Sequence, residues 1–558
     1  VSAPATGRRL LGQILKARGV VREGQIQEAL GEQRKHGGLI GQHLVTLGHC
    51  TSADVAAALA EQAGLEAIDL AKVRPTEEAL AKVDAGTAHA YRVLPLSLTG
   101  TRLKVAIADP LNASVLEDLA FQTGLEIQGV VADQDALLAR VKEHYGEGGS
   151  VADAIAAAAA MTNSDPAQAA LSAPVVRLLN SILHRAIADR ASDVHFEVFP
   201  KELRVRYRVD GSLYEIESPP AHLAAPLLAR IKVMSDLDIA ETKMPQDGRI
   251  QLSIDGRPVD LRVATLPGIG GEGCVLRVLD RSAVSLDLVA LGIRPEDVES
   301  LIAMAQLPHG IVLVTGPTGS GKTTTLYAML NAANDPTVKI ITVEDPVEYD
   351  IDGIVQVPIN EEIGVTYPKV LRTVLRQDPD KILVGEIRDA ETAQVAVEAS
   401  LTGHTVFATV HTNDAPSAIT RLVDLGLEPF LITATLEAVV AQRLVRRICS
   451  SCRTSFQPDE DMLRELGADA QALAGATLHY GKGCDACFHT GYRGRTAICE
   501  IMRIDAGLRR SILAGASTSD VRERARERGM RTLREAGIRA VLEGITTLEE
   551  VRRETMTL

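Results

Sequence analysis

A chain of 558 residues exceeds what one hydrophobic core normally supports, so three to five domains are expected. Hydrophobic residues make up 46% but aromatics only 3%, with no Trp, so the cores are built from Ala, Val, Leu and Ile; this is a globular composition, which excludes a disordered chain. The formal charge of −14 repels a phosphate backbone and disfavours a general nucleic-acid binder.

The first sixty residues hold an internal repeat. Leu10, Gly12, Gln13, Leu15, Gly19, Ala29, Leu30, Glu32 and Gln33 recur 29 places on as Leu39, Gly41, Gln42, Leu44, Gly48, Ala58, Leu59, Glu61 and Gln62. Each unit reads as two short helices broken at Gly19 or Gly48. Two readings stand side by side: helical hairpins that only pack on each other, or a ligand-binding module. From Ile68 to Tyr145 short strands such as Leu103 to Ile107 mix with helices, and residues 1–148 form one N-terminal module. The stretch at Arg8 and Arg9 meets Lys16 and Arg18 before any apolar run accumulates, so no secretory signal is expected and the chain should stay in the cytosol.

Residues 149–172 are Ala-rich, either a short exposed helix or a linker, and read as a flexible joint; the uncharged run Ala154 to Asn163 is far too short for a membrane span. Helical spacing resumes at Val175 to Ala188, and strands follow at Asp193 to Val198, Leu203 to Val209, Arg249 to Ile254 and Asp260 to Ala264, an α+β domain over 173–285. Arg204, Arg206 and Arg208 alternate, so they share one face of a strand. That face is either simply solvated or, with Arg249 and Arg262 on nearby strands, a source of arginine fingers for a γ phosphate.

Over 286–445 strands and helices alternate: Ile311 to Val314, Lys322 to Ala333, Lys339 to Val343, Lys381 to Val384, Ala390 to Ser400 and Thr405 to Val410. This implies an α/β fold with a largely parallel sheet. Gly316, Pro317, Thr318, Gly319, Ser320, Gly321, Lys322 and Thr323 match GxxxxGK[ST] between a strand and a helix, and with Thr324 they form a cradle for ATP or GTP. Lys322 is expected on the β and γ phosphates and Thr323 on magnesium. Glu386 and Glu344 follow strands at the ligand edge of the sheet, Glu386 as a candidate Mg²⁺ ligand and Glu344 as a candidate base. His404 and His411 flank one strand; His411 is placed at the ligand edge as contact or sensor, and His404 is structural or part of a subunit contact.

Cys449, Cys452, Cys484 and Cys487 form two CxxC pairs separated by the 31 residues from Arg453 to Gly483. Two such pairs can close a four-sulfur zinc site, here structural, in a subdomain spanning 446–498; His489 is a weaker substitute ligand. Residues 499–558 are helical, and Cys50, Cys274 and Cys499 read as small buried hydrophobes.

Taken together, Ala191-Ser-Asp-Val-His-Phe-Glu197, Arg206-Tyr-Arg-Val-Asp-Gly211, Pro245-Gln-Asp-Gly-Arg249, the phosphate loop, and the boxes Ile341 to Tyr349, Leu375 to Asp389 and Gly403 to Asn413 resemble the signature boxes of the secretion ATPases of type II secretion and type IV pilus assembly. The resemblance runs from about Ala173 to the C-terminus. It implies a cytoplasmic homohexamer with ATP held between an N-terminal sensor domain and a RecA-like motor. It places Glu344 in the aspartate box, Glu386 in the Walker B box and His411 in the histidine box. The tetracysteine insert is similar to that of assembly and secretion members, which implies extension rather than retraction. The implied activity is ATP hydrolysis driving pseudopilin extrusion, with type IV pilus assembly as the alternative and a DNA motor or a nucleotide switch behind both. Implied partners are inner-membrane platform and cytoplasmic-domain proteins, with no nucleic acid. The N-terminal repeats are similar to a module that binds cyclic di-GMP; Leu10 stands where that module usually carries Arg, which favours docking on a platform protein.

Overall fold

The computed structural model describes residues 10–36, 39–83, 87–88, 91–110, 115–116, 119–120, 123–145, 151–159, 166–254, 257–280, 286–458, 473 and 475–555. It divides into two compact units, Val1–Ala283 and Val284–Leu558.

In the first unit the repeat forms helices Leu11–Ala17, Glu23–His36, Ile40–Thr46 and Ser52–Ala63. Gly19 and Gly48 break the pairs at φ +74 and +72, a left-handed conformation that glycine adopts without a Cβ penalty. Repeat-equivalent residues do equivalent work: Leu15 and Leu44 are fully buried, as are Ala29 and Ala58. Gly12 and Gly41 sit so close to Ile26 and Val55 that a Cβ would lie 3.3 and 2.8 Å from their side chains. Beyond the repeat, β1 (Glu66–Ile68), β2 (Val93–Thr99), β3 (Arg102–Ile107) and β4 (Glu126–Ala132) form a sheet ordered β1-β4-β3-β2.

The Ala-rich stretch differs from the joint expected over 149–172. Val151–Ala159 is a helix whose Val151 and Ala158 are buried in the same core as Val175, Leu178 and Ile182. Alanine is the best helix former, and Val151, Ile155 and Ala158 recur on one face, so the segment has both propensity and a stripe to bury. Residues 160–165 lie outside the described ones.

An antiparallel sheet follows, ordered β7-β6-β5-β10-β9-β8, built from β5 (Asp193–Val198), β6 (Leu203–Val209), β7 (Ser212–Glu215), β8 (Gln246–Ile254), β9 (Arg257–Gly268) and β10 (Gly271–Asp280). Val194, Phe196, Val205 and Tyr207 face helices Ala173–Ala188 and Ala224–Met234, and the Tyr207 hydroxyl donates to the Ile182 carbonyl at 2.6 Å. Period two therefore sends Arg204, Arg206 and Arg208 to the other face. Strands β7 and β10 are not marked by the alternation read from the sequence.

The second unit is built on a seven-stranded sheet ordered β13-β12-β14-β15-β11-β16-β19. Its strands are β11 (Gly310–Thr315), β12 (Ile340–Glu344), β13 (Val355–Pro358), β14 (Lys381–Val384), β15 (Thr405–Val410), β16 (Leu436–Ile448) and β19 (Tyr492–Arg503). All pairs are parallel except β16 with β19. Every residue of β11 is buried, with Leu313 in the core on one side and Val312 and Val314 in the core on the other. The helical cover that a doubly covered parallel sheet needs includes Lys322–Ala332 and Ala390–Leu401.

The boundaries expected at 445/446 and 498/499 both fall inside strands. β16 and β19 pair from Ala438 with Arg503 to Ile448 with Tyr492, so the cysteine insert, with its own hairpin β17 (Arg453–Phe456) and β18 (Leu478–Gly481), hangs from the edge of the motor sheet rather than following it. Four helices, Ala506–Leu513, Thr518–Glu527, Leu533–Leu542 and Leu548–Thr555, end the described chain. No helix among the described residues is long and apolar enough to cross a membrane. Cys274 and Cys499 are buried, as expected, and Cys50 is half-buried.

Candidate nucleotide site and cysteine cluster

The phosphate loop leaves β11 through glycines that nothing else could replace. Gly316 has φ +149, and a Cβ there would lie 2.5 Å from the Gln442 carbonyl oxygen; Gly321, at φ +82, turns the chain into helix Lys322–Ala332. Pro317, Thr318 and Gly319 are exposed at the rim, whereas Ser320 is buried. Lys322 curls back so that its ammonium donates to the carbonyls of Gly316 and Pro317, each at 2.9 Å. Burial pushes the Lys322 ammonium below its ordinary value; Glu386 opposes this and Arg443 adds to it. A polyanion in the loop would relieve that strain on the charge.

Gln442 on β16 clamps the loop to its helix. Its amide donates to the Ser320 carbonyl at 2.8 Å and accepts from the Thr325 hydroxyl at 2.8 Å. On the other side the Thr315 hydroxyl accepts from the Thr412 backbone N–H at 2.8 Å, tying the start of the loop to the segment after β15.

Three predicted residues arrive at the same edge. Glu344 ends β12, Glu386 stands two residues beyond β14, and His411 follows β15 directly. The Glu386 carboxylate is held by Arg388 and lies 3.4 Å from His411 Nε2. His404, at the opposite end of β15, bonds the Ala399 carbonyl at 2.9 Å, away from that edge. Glu344 is buried, and its oxygens accept from the Tyr327 hydroxyl, from the Thr342 hydroxyl at 2.5 Å and from Gln356 at 3.3 Å. Thr323 occupies the first turn of the helix beside Lys322. Thr323 offers a hydroxyl and Glu386 a carboxylate, oxygen donors of the type that a magnesium ion takes.

In the first unit the predicted arginines fall into register. Arg249 pairs with Arg262, Arg262 with Arg277, Arg277 with Asp193, and Asp193 with Arg208, a single row across five strands. Asp193 is the only acid in the row; it meets Arg208 at 3.5 Å and Arg277 at 3.2 Å. Arg206, one row on, pairs with Glu197, and Arg204 stacks over Phe199 at 5.0 Å while pairing with Glu202. Like charges directly opposite on a sheet are destabilising, a cost that Asp193 offsets through its pairings with Arg208 and Arg277.

The four cysteines converge. Their sulfurs all lie within 4.8 Å of one another, with Cys449–Cys484 at 3.9 Å, Cys452–Cys487 at 3.8 Å and Cys484–Cys487 at 3.7 Å. Tetrahedral zinc with Zn–S of about 2.3 Å needs sulfurs about 3.8 Å apart, so the set fits zinc. Backbone N–H groups of Cys484 and Gly491 point at the Cys487 sulfur, at 3.2 and 3.3 Å. His489 faces Asp485 at 3.1 Å instead and lies outside the cluster.

Sequence reading missed Gln442, Thr315, Tyr327 and Arg277. Gln442 lies more than a hundred residues beyond the loop it holds, and only the parallel pairing of β11 with β16 brings them together.

The comparisons with known proteins agree with this geometry. The family model described as type II/IV secretion system protein matches residues 168–553, and the MshEN domain model matches residues 63–151. The type IV pilus assembly ATPase PilB of Myxococcus xanthus is 41% identical over 553 residues, 97% of this chain and 98% of its own. Type II secretion system protein E of Pseudomonas aeruginosa is 52% identical over 383 residues, 69% of this chain and 76% of its own. That of Xanthomonas campestris pv. campestris is 41% identical over 556 residues, 97% and 96% of the two chains. Among solved structures, the Legionella pneumophila ATPase DotB covers 68% of this chain and 95% of its own at TM-score 0.51 and 20% identity, a likeness of fold. With a phosphate loop at the head of a parallel sheet and a family match over most of its length, the chain belongs to the type II/IV secretion system protein family, the secretion ATPases.

Proposed function

We propose that the chain is an ATP-hydrolysing motor that powers pseudopilus assembly and protein export in type II secretion. The observation that carries this is the phosphate loop with Glu386 and His411 on one sheet edge, in a chain 52% identical over 383 residues to a type II secretion protein E.

In this reading the loop N–H groups and the helix start bind the phosphates, and Lys322 leaves its loop carbonyls for phosphate oxygens. Thr323 and Glu386 hold magnesium, which neutralises phosphate charge when bound. His411 and Arg388 fix the Glu386 carboxylate. Glu344 orients or deprotonates the attacking water, which requires that it give up one of its present donors, Tyr327, Thr342 or Gln356. Arg206, Arg208, Arg249, Arg262 and Arg277 are read as a basic face able to meet an anionic phosphate, the source of the arginine fingers. The four thiolates hold a structural zinc.

The working form is a homohexameric ring at the cytoplasmic side of the inner membrane, held there by platform and cytoplasmic-domain proteins through the N-terminal unit's first module, residues 1–148. Cyclic di-GMP is the candidate small ligand of that unit, supported by the MshEN match. Type IV pilus assembly is the second reading, favoured by the 41% identity to PilB over 97% of the chain.

Glu386→Gln tests the motor. The full-length protein should keep ATP binding and lose both hydrolysis and the ability to restore secretion in a strain lacking its own copy. A variant that hydrolyses ATP normally, or that supports export without hydrolysing it, sinks the reading. Restoring piliation but not secretion selects the second reading.

A further inference from the structure

Arg443 follows Gln442 on β16, and β16 runs parallel to β11 with Ala441 opposite Thr315, so its backbone lies beside the first residues of the phosphate loop. Strand alternation turns it to the face opposite Gln442. There its Nη2 donates to Asn413 Oδ1 at 3.1 Å, two residues after His411. The side chain is buried, 6% exposed, and its Nε is buried with no partner among the described residues. Among those residues it forms no ion pair. Glu554 acts on it only through space and is itself bonded to Arg553 at 3.1 Å.

An arginine cannot escape burial by shedding its proton, so an unpaired buried guanidinium is strongly unfavourable unless an anion meets it. Its field reaches the phosphate-binding amine: Arg443 adds to the effect of burial in lowering Lys322. Two cations, neither closed in an ion pair among the described residues, thus act on each other at the ligand edge of one sheet. The loop amides account for the inner phosphates, and Lys322 bridges the β and γ phosphates from the loop side. The Asn413 side, next to the pair of His411 and Glu386, is where a terminal phosphate would extend.

We propose that Arg443 is a nucleotide-binding residue whose guanidinium, presented by Asn413, meets the terminal phosphate, so that the site distinguishes a triphosphate from a diphosphate. This rests on the reading of the phosphate loop as the nucleotide site.

The test uses the full-length protein with magnesium, a non-hydrolysable ATP analogue and ADP. Arg443→Gln should weaken the analogue roughly tenfold or more, the effect of losing a charge-assisted hydrogen bond, while ADP changes by less than about twofold. Parallel weakening of both nucleotides with a lower melting temperature, or no change in either, overturns the inference. Should Arg443→Gln fail to fold, Asn413→Ala at an exposed position frees the guanidinium and gives the same reading; an unchanged ratio of the two affinities overturns it. Lys322→Ala is the control and should lose both nucleotides. If it binds both normally, the phosphate-loop reading itself has failed, and the Arg443 inference with it.

Discussion

His411 Nε2 stands 3.4 Å from Glu386 Oε2, joining two residues 25 positions apart that leave neighbouring strands β14 and β15. The other Glu386 oxygen is taken by Arg388, so the carboxylate is gripped from both sides and has little rotational freedom.

His411→Ala releases one of those grips. The expected result is a kcat lowered about tenfold to a hundredfold with nucleotide affinity within a few-fold of wild type, because the phosphates are held by the loop and not by His411. Equal losses in kcat and affinity would place His411 in binding instead.

Gln442→Ala removes both bonds that pin Ser320 and Thr325. A buried carbonyl and a buried hydroxyl lose their partner, at a cost of about 1–3 kcal/mol each before relaxation. Lower thermal stability and weaker binding of ATP and ADP alike are expected in a melting curve and a titration. This common loss is the opposite signature to that of Arg443→Gln.

Zinc analysis of the purified chain should return one ion per chain, and Cys487→Ser should abolish it. Structural zinc contributes on the order of 10 kcal/mol to its subdomain. Chelation should therefore loosen the segments around Cys449–Cys452 and Cys484–Cys487, seen as new proteolytic cleavage there, while the phosphate loop helix stays protected at first.

Stability should depend on pH through His184 and His195. Burial holds His184 below its ordinary value, with Arg92 adding to the effect. His195 is lowered by burial and then by Arg208, partly offset by Asp193 and Glu197. Because the folded state binds these protons less readily than the unfolded chain, their contribution is fully present above about pH 6.5 and is lost as pH falls from there through their lower folded-state values. Melting temperature should drop between pH 7 and 5, and His184→Gln should flatten that slope. A flat wild-type profile would refute the assignment.

Much of this was legible in advance where the signal is local. The phosphate loop combines a glycine pattern with a flanking strand and helix, and β5, β6, β14 and β15 begin and end where alternation or an apolar run places them. The repeat glycines Gly19 and Gly48 also behave as read. What escaped was pairing between distant segments. Arg277 enters the arginine row only because β10 returns between β5 and β9, and no nearby residue announces that. The motor boundaries failed for the same reason: β16 and β19 complete one sheet from either side of the cysteine insert. The Ala-rich segment reads on composition as either a helix or a joint, and the stripe that packs Val151 and Ala158 into the core decides for the helix over Val151–Ala159.

Strand β16 spans from the phosphate clamp at Gln442 to Ile448, and Cys449 comes next. At about 3.3 Å per residue, roughly 23 Å of hydrogen-bonded backbone separates the first thiolate from the clamp. Over that span the backbone stays paired to β19, with a register shift between Arg446 and Ile448 that marks where the ribbon bends. The thiolate knuckle and the phosphate clamp are therefore joined by one continuous strand rather than by a loop.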